Sequence, residues 1–238
     1  PFTSGTKDER AIICIMPRRK DPLITGQFYH IYNRSIDNRK VFDDESMAAH
    51  FLFALRYYRS NSIDRSLSKY KILDPSLQQV LLSQINDPTT FRIDILAYCL
   101  MPNHMHLLAK QRKDDGITIT LSNVLNSFTR HYNSLHSRKG PIFLPRFRAK
   151  HIQSPELLMH VSRYIHLNPF SGNLVDSIED IEKYKSSSFK EYLSNEKNKL
   201  VTTAYIRSHF RTITRYKEYV LDYADYQKSL EEFKYVKQ

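Results

Sequence analysis

The chain has no tryptophan, only five glycines and only two cysteines among its 238 residues. Cys14 and Cys99 are too few for a disulfide framework or a thiolate zinc site, and Cys99 sits in an apolar run where a thiol packs as a small hydrophobe. A reducing compartment fits. None of the glycines forms a phosphate-cradling Gly-rich loop, so nucleotide-dependent chemistry has no motif here. No apolar run approaches the roughly 20 residues needed to span a bilayer, and no signal-peptide pattern is visible. The expectation is a soluble intracellular protein with no membrane partner, whose chemistry comes from side chains and metal.

Acidic residues are also in deficit. Lys and Arg number 36 against 25 Asp and Glu, giving a formal charge of +11 and a pI of about 9.5. That balance points to a polyanionic partner, though charge alone does not separate nucleic acid from an anionic membrane surface. The length suits one main domain with an appendage. Residues 1–15 show no clear period and Met16 reads as a native start, so the first fifteen are expected to be a leader or vector-derived. The main domain is expected over 16–195 and a helical extension over 196–238.

The most informative stretch runs from Ala97 to Ala109, an apolar segment that turns at Pro102-Asn103 and restarts as His104-Met-His-Leu-Leu108. Side chains alternate faces along a strand, so His104 and His106 project to one side while Met105, Leu107 and Ala109 face the core. Two imidazoles fixed on one strand form half of an open metal site, but His-X-His is more often simply a hydrogen-bonded pair. The preceding run Phe91–Leu100 should pair with this strand as a hairpin at the sheet centre. Gln27–Asn33 reads as a further strand, followed by a polar loop and a helix through Met47–Leu55 that starts near the carboxylates of Asp43, Asp44 and Glu45.

Ser60–Thr90 reads as a polar insertion with one short helix, Leu77–Ile85. Apolar residues at Ile117, Leu121, Val124, Leu125, Phe128 and Tyr132 define one face of a long helix. From Arg130 to Lys150 cations alternate with Tyr132, Phe143 and Phe147 and no carboxylate intervenes. Such a run is either a solvated face or a surface for phosphate contact and base stacking. Ser154 and Pro155 open another helix expected to end at Leu167, before Pro169. On it His160, Tyr164 and Asn168 recur every four residues and share a face. A tyrosine-rich helix over Ala204–Tyr226 is read as packing on the main domain or a partner.

Metal-binding histidines, a helical tyrosine with an amide one turn on, and a basic aromatic loop together suggest phosphoryl transfer by covalent catalysis. A free phenol has a pKa near 10, so ionising it at neutral pH costs roughly 4 kcal/mol unless cations reduce that. Taken alone, Tyr164 reads better as an ordinary core tyrosine, one of 16 in the chain.

At these residues the chain resembles the REP-associated tyrosine transposases and related insertion-sequence transposases of the single-tyrosine HUH endonuclease class. The resemblance covers roughly Thr25–Leu193, in separate blocks that keep one order. They are Gly26–Arg34 with Val41-Phe42, Tyr98–Leu108, Tyr132-Asn133, Gly140–Ala149 and Ser162–Pro169. It implies an α+β fold, a ferredoxin-like antiparallel sheet with helices on one face. It implies His104 and His106 as ligands of a divalent metal, Mg²⁺ or Mn²⁺, with Asn168 as the third, and Tyr164 as the nucleophile forming a 5′-phosphotyrosine link. Tyr132 is a rival nucleophile whose apolar position favours packing. Arg34, Arg130, Arg138, Lys139, Arg146, Arg148 and Lys150 are the expected contacts to single-stranded or hairpin DNA. The implied protein is a bacterial cytoplasmic, nucleoid-associated transposase, a monomer or a homodimer. Two departures stand out, Phe143-Leu-Pro-Arg-Phe-Arg148 in place of the commoner Phe-Gln-Gly-Arg-Tyr, and the long insertion. A DNA-binding module that does not cut, and an RNA-binding protein, are the competing readings.

Overall fold

The computed structural model describes residues 22–62, 64–196 and 199–236; the expected leader lies outside them. Four strands, β1 (Phe28–Arg34), β2 (Ile93–Met101), β3 (His104–Gln111) and β4 (Arg148–Ile152), form one sheet in the order β2-β3-β1-β4. Every pairing is antiparallel. Helices α1 (Glu45–Tyr58), α2 (Leu67–Lys71) and α3 (Pro75–Ile85) lie between β1 and β2, and α4 (Gly116–Leu135) joins β3 to β4. This βαββαβ path with that strand order is ferredoxin-like, an α+β fold. After β4 come α5 (Pro155–Ser171), α6 (Phe189–Leu193), α7 (Ala204–Arg207), α8 (Ile213–Leu221) and α9 (Ala224–Val236).

Local chemistry sets the helix starts. The Asp44 carboxylate accepts from Ser46 N at 2.7 Å to open α1, and Ser154 Oγ accepts from Leu157 N at 3.2 Å to open α5, with Pro155 at the first position where no N–H is needed. Helix α4 starts at Gly116, where any Cβ would collide with the Arg92 carbonyl oxygen. Only glycine allows the helix to approach the sheet that closely.

Period-two alternation then sorts the sheet into two faces. Tyr29, Ile31, Met105 and Leu107 turn to the side covered by α1 and α4, where Phe42, Phe51 and Phe128 meet with centroids 5.1 to 5.5 Å apart. Truncating a ring such as Phe128 there would cost roughly 3–5 kcal/mol. His30, Tyr32, His104 and His106 turn to the other side. The expected helices on one face are thus α1 and α4, while α5 and the C-terminal helices occupy part of the opposite face.

Several boundaries differ from the sequence expectation. The β2–β3 hairpin forms as expected, but β2 is an outer strand, and β3 with β1 make the centre. Strand β2 is buried throughout, Asp94 included, because its outer edge is also covered. Leu100 N donates to Ser186 O at 2.8 Å, Ser188 N to Tyr98 O at 3.0 Å and Thr202 N to Ile95 O at 2.7 Å. Helix α5 continues through Pro169 to Ser171 instead of ending at Leu167. Proline removes one helical donor, but burial of Pro169 and Phe170 holds the last turn in place. The insertion contains α2 as well as the expected α3, and Leu67 and Tyr70 anchor α2 in the core. The tyrosine-rich tail is three separate helices, α7 to α9, and it packs through Tyr216 and Val220.

Candidate active site

The site is built on β1 and β3, the two inner strands. The pairing of Tyr32 with His106 and of Arg34 with His104 places all four side chains, together with His30, on one face. The two-residue turn before His104 is tied down from the side: Ser35 N donates to Asn103 O at 2.8 Å and Phe42 N to Pro102 O at 3.0 Å. His104 therefore starts its strand at a fixed position.

The imidazoles form a continuous layer. His30 Nε2 lies 3.0 Å from His106 Nδ1, the two rings being stacked with centroids 5.3 Å apart. His104 Nδ1 lies 2.6 Å from Asn103 Oδ1, and its ring is 5.0 Å from that of His106. Because Asn103 Oδ1 can only accept, His104 carries its proton on Nδ1 and its lone pair on Nε2. Burial and the nearby Lys150 ammonium push His30 down to about 4, so it is neutral at neutral pH. The contact between His30 Nε2 and His106 Nδ1 holds the His106 ring through Nδ1. Both members of the His-X-His pair are thus held through Nδ1, as outer hydrogen bonds hold metal-ligating histidines.

Helix α5 brings Tyr164 over this layer. Its ring stands edge-on to His106 at 5.6 Å and to His30 at 5.9 Å between centroids, and the residue is half-buried. On the other side, β4 pairs with β1 so that Arg148 lies opposite Tyr32 and Lys150 opposite His30. The exposed Arg148, Lys150, Arg34 and Arg146 therefore border the histidine face on one side. A phenol, two histidines and a cationic edge converge on one surface, a set of groups that could hold a phosphodiester.

No protein-family model matches this chain, and no curated protein sequence does. Among solved structures, a REP-associated tyrosine transposase bound to a REP hairpin superposes with a TM-score of 0.52 and 16% identity, over 79% of this chain and 91% of that one. The chain shares that protein's fold. At this identity the likeness is one of fold, and the hairpin belongs to that protein.

The remaining expected residues divide. Asn168 is on α5 one turn after Tyr164, but it is buried and its Oδ1 accepts a long 3.5 Å hydrogen bond from Gln227 Nε2 of α9. Its Nδ2 is buried without a partner among the described residues. Among those residues no three His, Cys, Asp or Glu side chains cluster as a metal site. Arg138 folds back to brace its own loop, donating to Asn133 Oδ1 at 3.0 Å and Pro141 O at 2.9 Å. Lys139 is exposed at the tip of that loop. Arg130 lies on α4, which covers the other face of the sheet. Tyr132 is buried between Phe128 and His136, with centroids at 6.1 and 4.1 Å.

Sequence reasoning missed His30. It alternates with Tyr32 in an aromatic strand, and nothing local marks it; the signal would have been the pairing of β1 beside β3, which sets His30 against a histidine 76 residues away.

Proposed function

We propose that this chain is a single-strand DNA endonuclease and strand transferase of transposase type, acting through Tyr164. The observation that carries the reading is the placement of the Tyr164 ring over the His30–His106 layer, with Arg148 and Lys150 along the adjoining edge strand. The phenolic oxygen attacks phosphorus, a tyrosine O–P bond forms, and the P–O3′ bond breaks. Net, the phenolic proton ends on the departing 3′ oxygen. Because the phosphotyrosine conserves the phosphodiester bond energy, the step is reversible without ATP, as strand transfer requires.

Nε2 of His104 and of His106 would hold a divalent ion, Mg²⁺ or Mn²⁺, with Asn168 as the third donor once its Oδ1 turns from Gln227. Bound there, the ion supplies Lewis-acid stabilisation of charge on the phosphoryl oxygens. The chain's own contribution is positioning: the strands fix the histidines, α5 fixes the phenol, and the cationic edge neutralises the DNA backbone. Single-stranded or hairpin-forming DNA is the expected substrate.

The test is direct. Incubating the protein with labelled hairpin-bearing single strands and Mg²⁺ or Mn²⁺ should give a denaturation-resistant protein–DNA adduct that disappears in Tyr164→Phe while binding persists. An adduct that survives in Tyr164→Phe and maps to Tyr132 rejects the assignment. Binding without any adduct on DNA flanking the gene favours a module that does not cut.

A further inference from the structure

A second basic feature lies away from the histidine face. A cleft of about 560 Å³ opens between α1, α2 and α4, a size that suits a small ligand. Arg65, Lys71 and Arg130 line it with His50 and His131, and Asp64 is its one carboxylate among the described residues. No ion pair among those residues joins Asp64 to any of the three cations. Arg92 also borders the cleft, but it donates to the carbonyls of Tyr58 and Ser60 and so braces the wall.

The floor of the cleft has an unmet hydrogen bond. Lys71 Nζ lies 2.9 Å from His50 Nδ1. An ammonium only donates, so Nδ1 is the acceptor and the ring proton is on Nε2. That Nε2 is buried and has no partner among the described residues, in a side chain only 8% exposed. His131 lies flat on the same ring, with centroids 3.8 Å apart and planes at 13°. Burial, then the charges of Lys71 and His131, holds His50 down to about 4, and burial with Lys71 lowers His131 as well. The floor therefore presents donors without a matching acceptor, and oxygens of an anion are the groups that complete it.

We propose that this cleft is an anion site that binds a phosphate group, carried by a free nucleotide or by the 5′ end of a DNA strand, through Arg65, Lys71, Arg130 and His50. It is built by the insertion that carries α2 together with α1 and α4, and it is separate from Tyr164 and the histidine pair. Phosphate is favoured because several cations and an N–H converge on one volume, which a multidentate oxyanion can satisfy together.

Pyrophosphate, titrated calorimetrically into the full chain, is the probe. It should bind, and the double variant Arg65→Gln/Lys71→Gln should weaken it by about tenfold or more, as expected when charge-assisted hydrogen bonds are removed. Lys190→Gln, an exposed change on α6, should leave it unchanged. Both side chains in the double variant are exposed, and an unchanged thermal midpoint will show that the fold is kept. Displacement by a 5′-phosphorylated short strand but not its 5′-hydroxyl counterpart assigns the phosphate to a DNA end; displacement by ADP and by neither strand assigns it to a nucleotide. Absence of pyrophosphate binding, undiminished affinity in the double variant, or an equal loss in Lys190→Gln overturns the proposal.

Discussion

Tyr164 stands edge-on to His106, their ring centroids 5.6 Å apart and their planes at 86°. One residue is on a helix and the other on a strand 58 positions earlier, so the contact exists only because α5 crosses back over the open face of the sheet. The strand partner is held by His30 and the helix partner by the Ser154 cap and the packing of α8 and α9. A mobile tyrosine would lose much of the rate advantage of orientation.

If His104 and His106 hold the ion through Nε2, replacing either removes a ligand without opening the core. His106→Ala and His104→Ala should each abolish adduct formation, by at least about a hundredfold, with DNA affinity changed much less. EDTA should abolish wild-type nicking. Nicking that continues in EDTA, measured on denaturing gels, excludes a metal-dependent step.

The hairpin and its histidines are legible in the sequence because period-two alternation and a Pro-Asn turn are local signals. Helix α4 is legible for the same reason, through its apolar spacing. What is not legible depends on distant segments. The outer position of β2 follows from residues 186–188 and 202, which cover its edge, and no pattern in Ile93–Met101 announces them. His30 acquires meaning only from the register of β1 on β3. The passage of α5 through Pro169 reflects tertiary burial overriding a local breaker, and α2 is too short for its periodicity to show.

The edge strand offers a test of DNA binding. Arg146 and Arg148 are exposed beside the histidine face, so the double change to Ala should lower affinity for single strands. It should also reduce the slope of log K against log salt, by about 0.7 for each phosphate that is no longer neutralised. Fluorescence anisotropy across a salt series measures both. An unchanged slope would make this edge a solvated face.

Acid stability should depend on His166. It is fully buried, with Nε2 2.8 Å from Ser188 Oγ and Nδ1 2.7 Å from Tyr216 Oη, and it joins α5 to α8 and to the edge of β2. Burial lowers its pKa from 6.5 to about 3, so the folded state holds the neutral ring. The group's contribution is complete above pH 6.5, where folded and unfolded rings are both neutral, and it is lost as pH falls from 6.5 towards 3, where only the unfolded state takes up the proton. Urea unfolding should lose about 1.4 kcal/mol per pH unit from this residue in that window. His166→Gln should be weaker at neutral pH yet show a shallower acid slope; an identical slope would assign the acid sensitivity elsewhere.

Gln227 is one of the points at which the C-terminal extension reaches α5. It is only 4% exposed, and its Nε2 donates to Tyr164 O at 3.1 Å, to Ser171 Oγ at 3.2 Å and, at 3.5 Å, to Asn168 Oδ1. One amide of α9 thus contacts both the turn that carries Tyr164, the proposed nucleophile, and Asn168, the expected third ligand. Gln227→Leu keeps most of the volume but leaves these acceptors without their donor, which should cost about 1–3 kcal/mol in urea unfolding. If the residue only stabilised the fold, the adduct formed by the surviving folded protein would appear at the wild-type rate. If it positions Tyr164 and Asn168, single-turnover adduct formation should slow by about tenfold or more while DNA affinity stays the same, because a displaced nucleophile lowers the rate and not the binding. Gln227→Asn, which keeps the amide but shortens its reach, should fall between the two. A wild-type single-turnover rate in folded Gln227→Leu would confine α9 to a purely structural role.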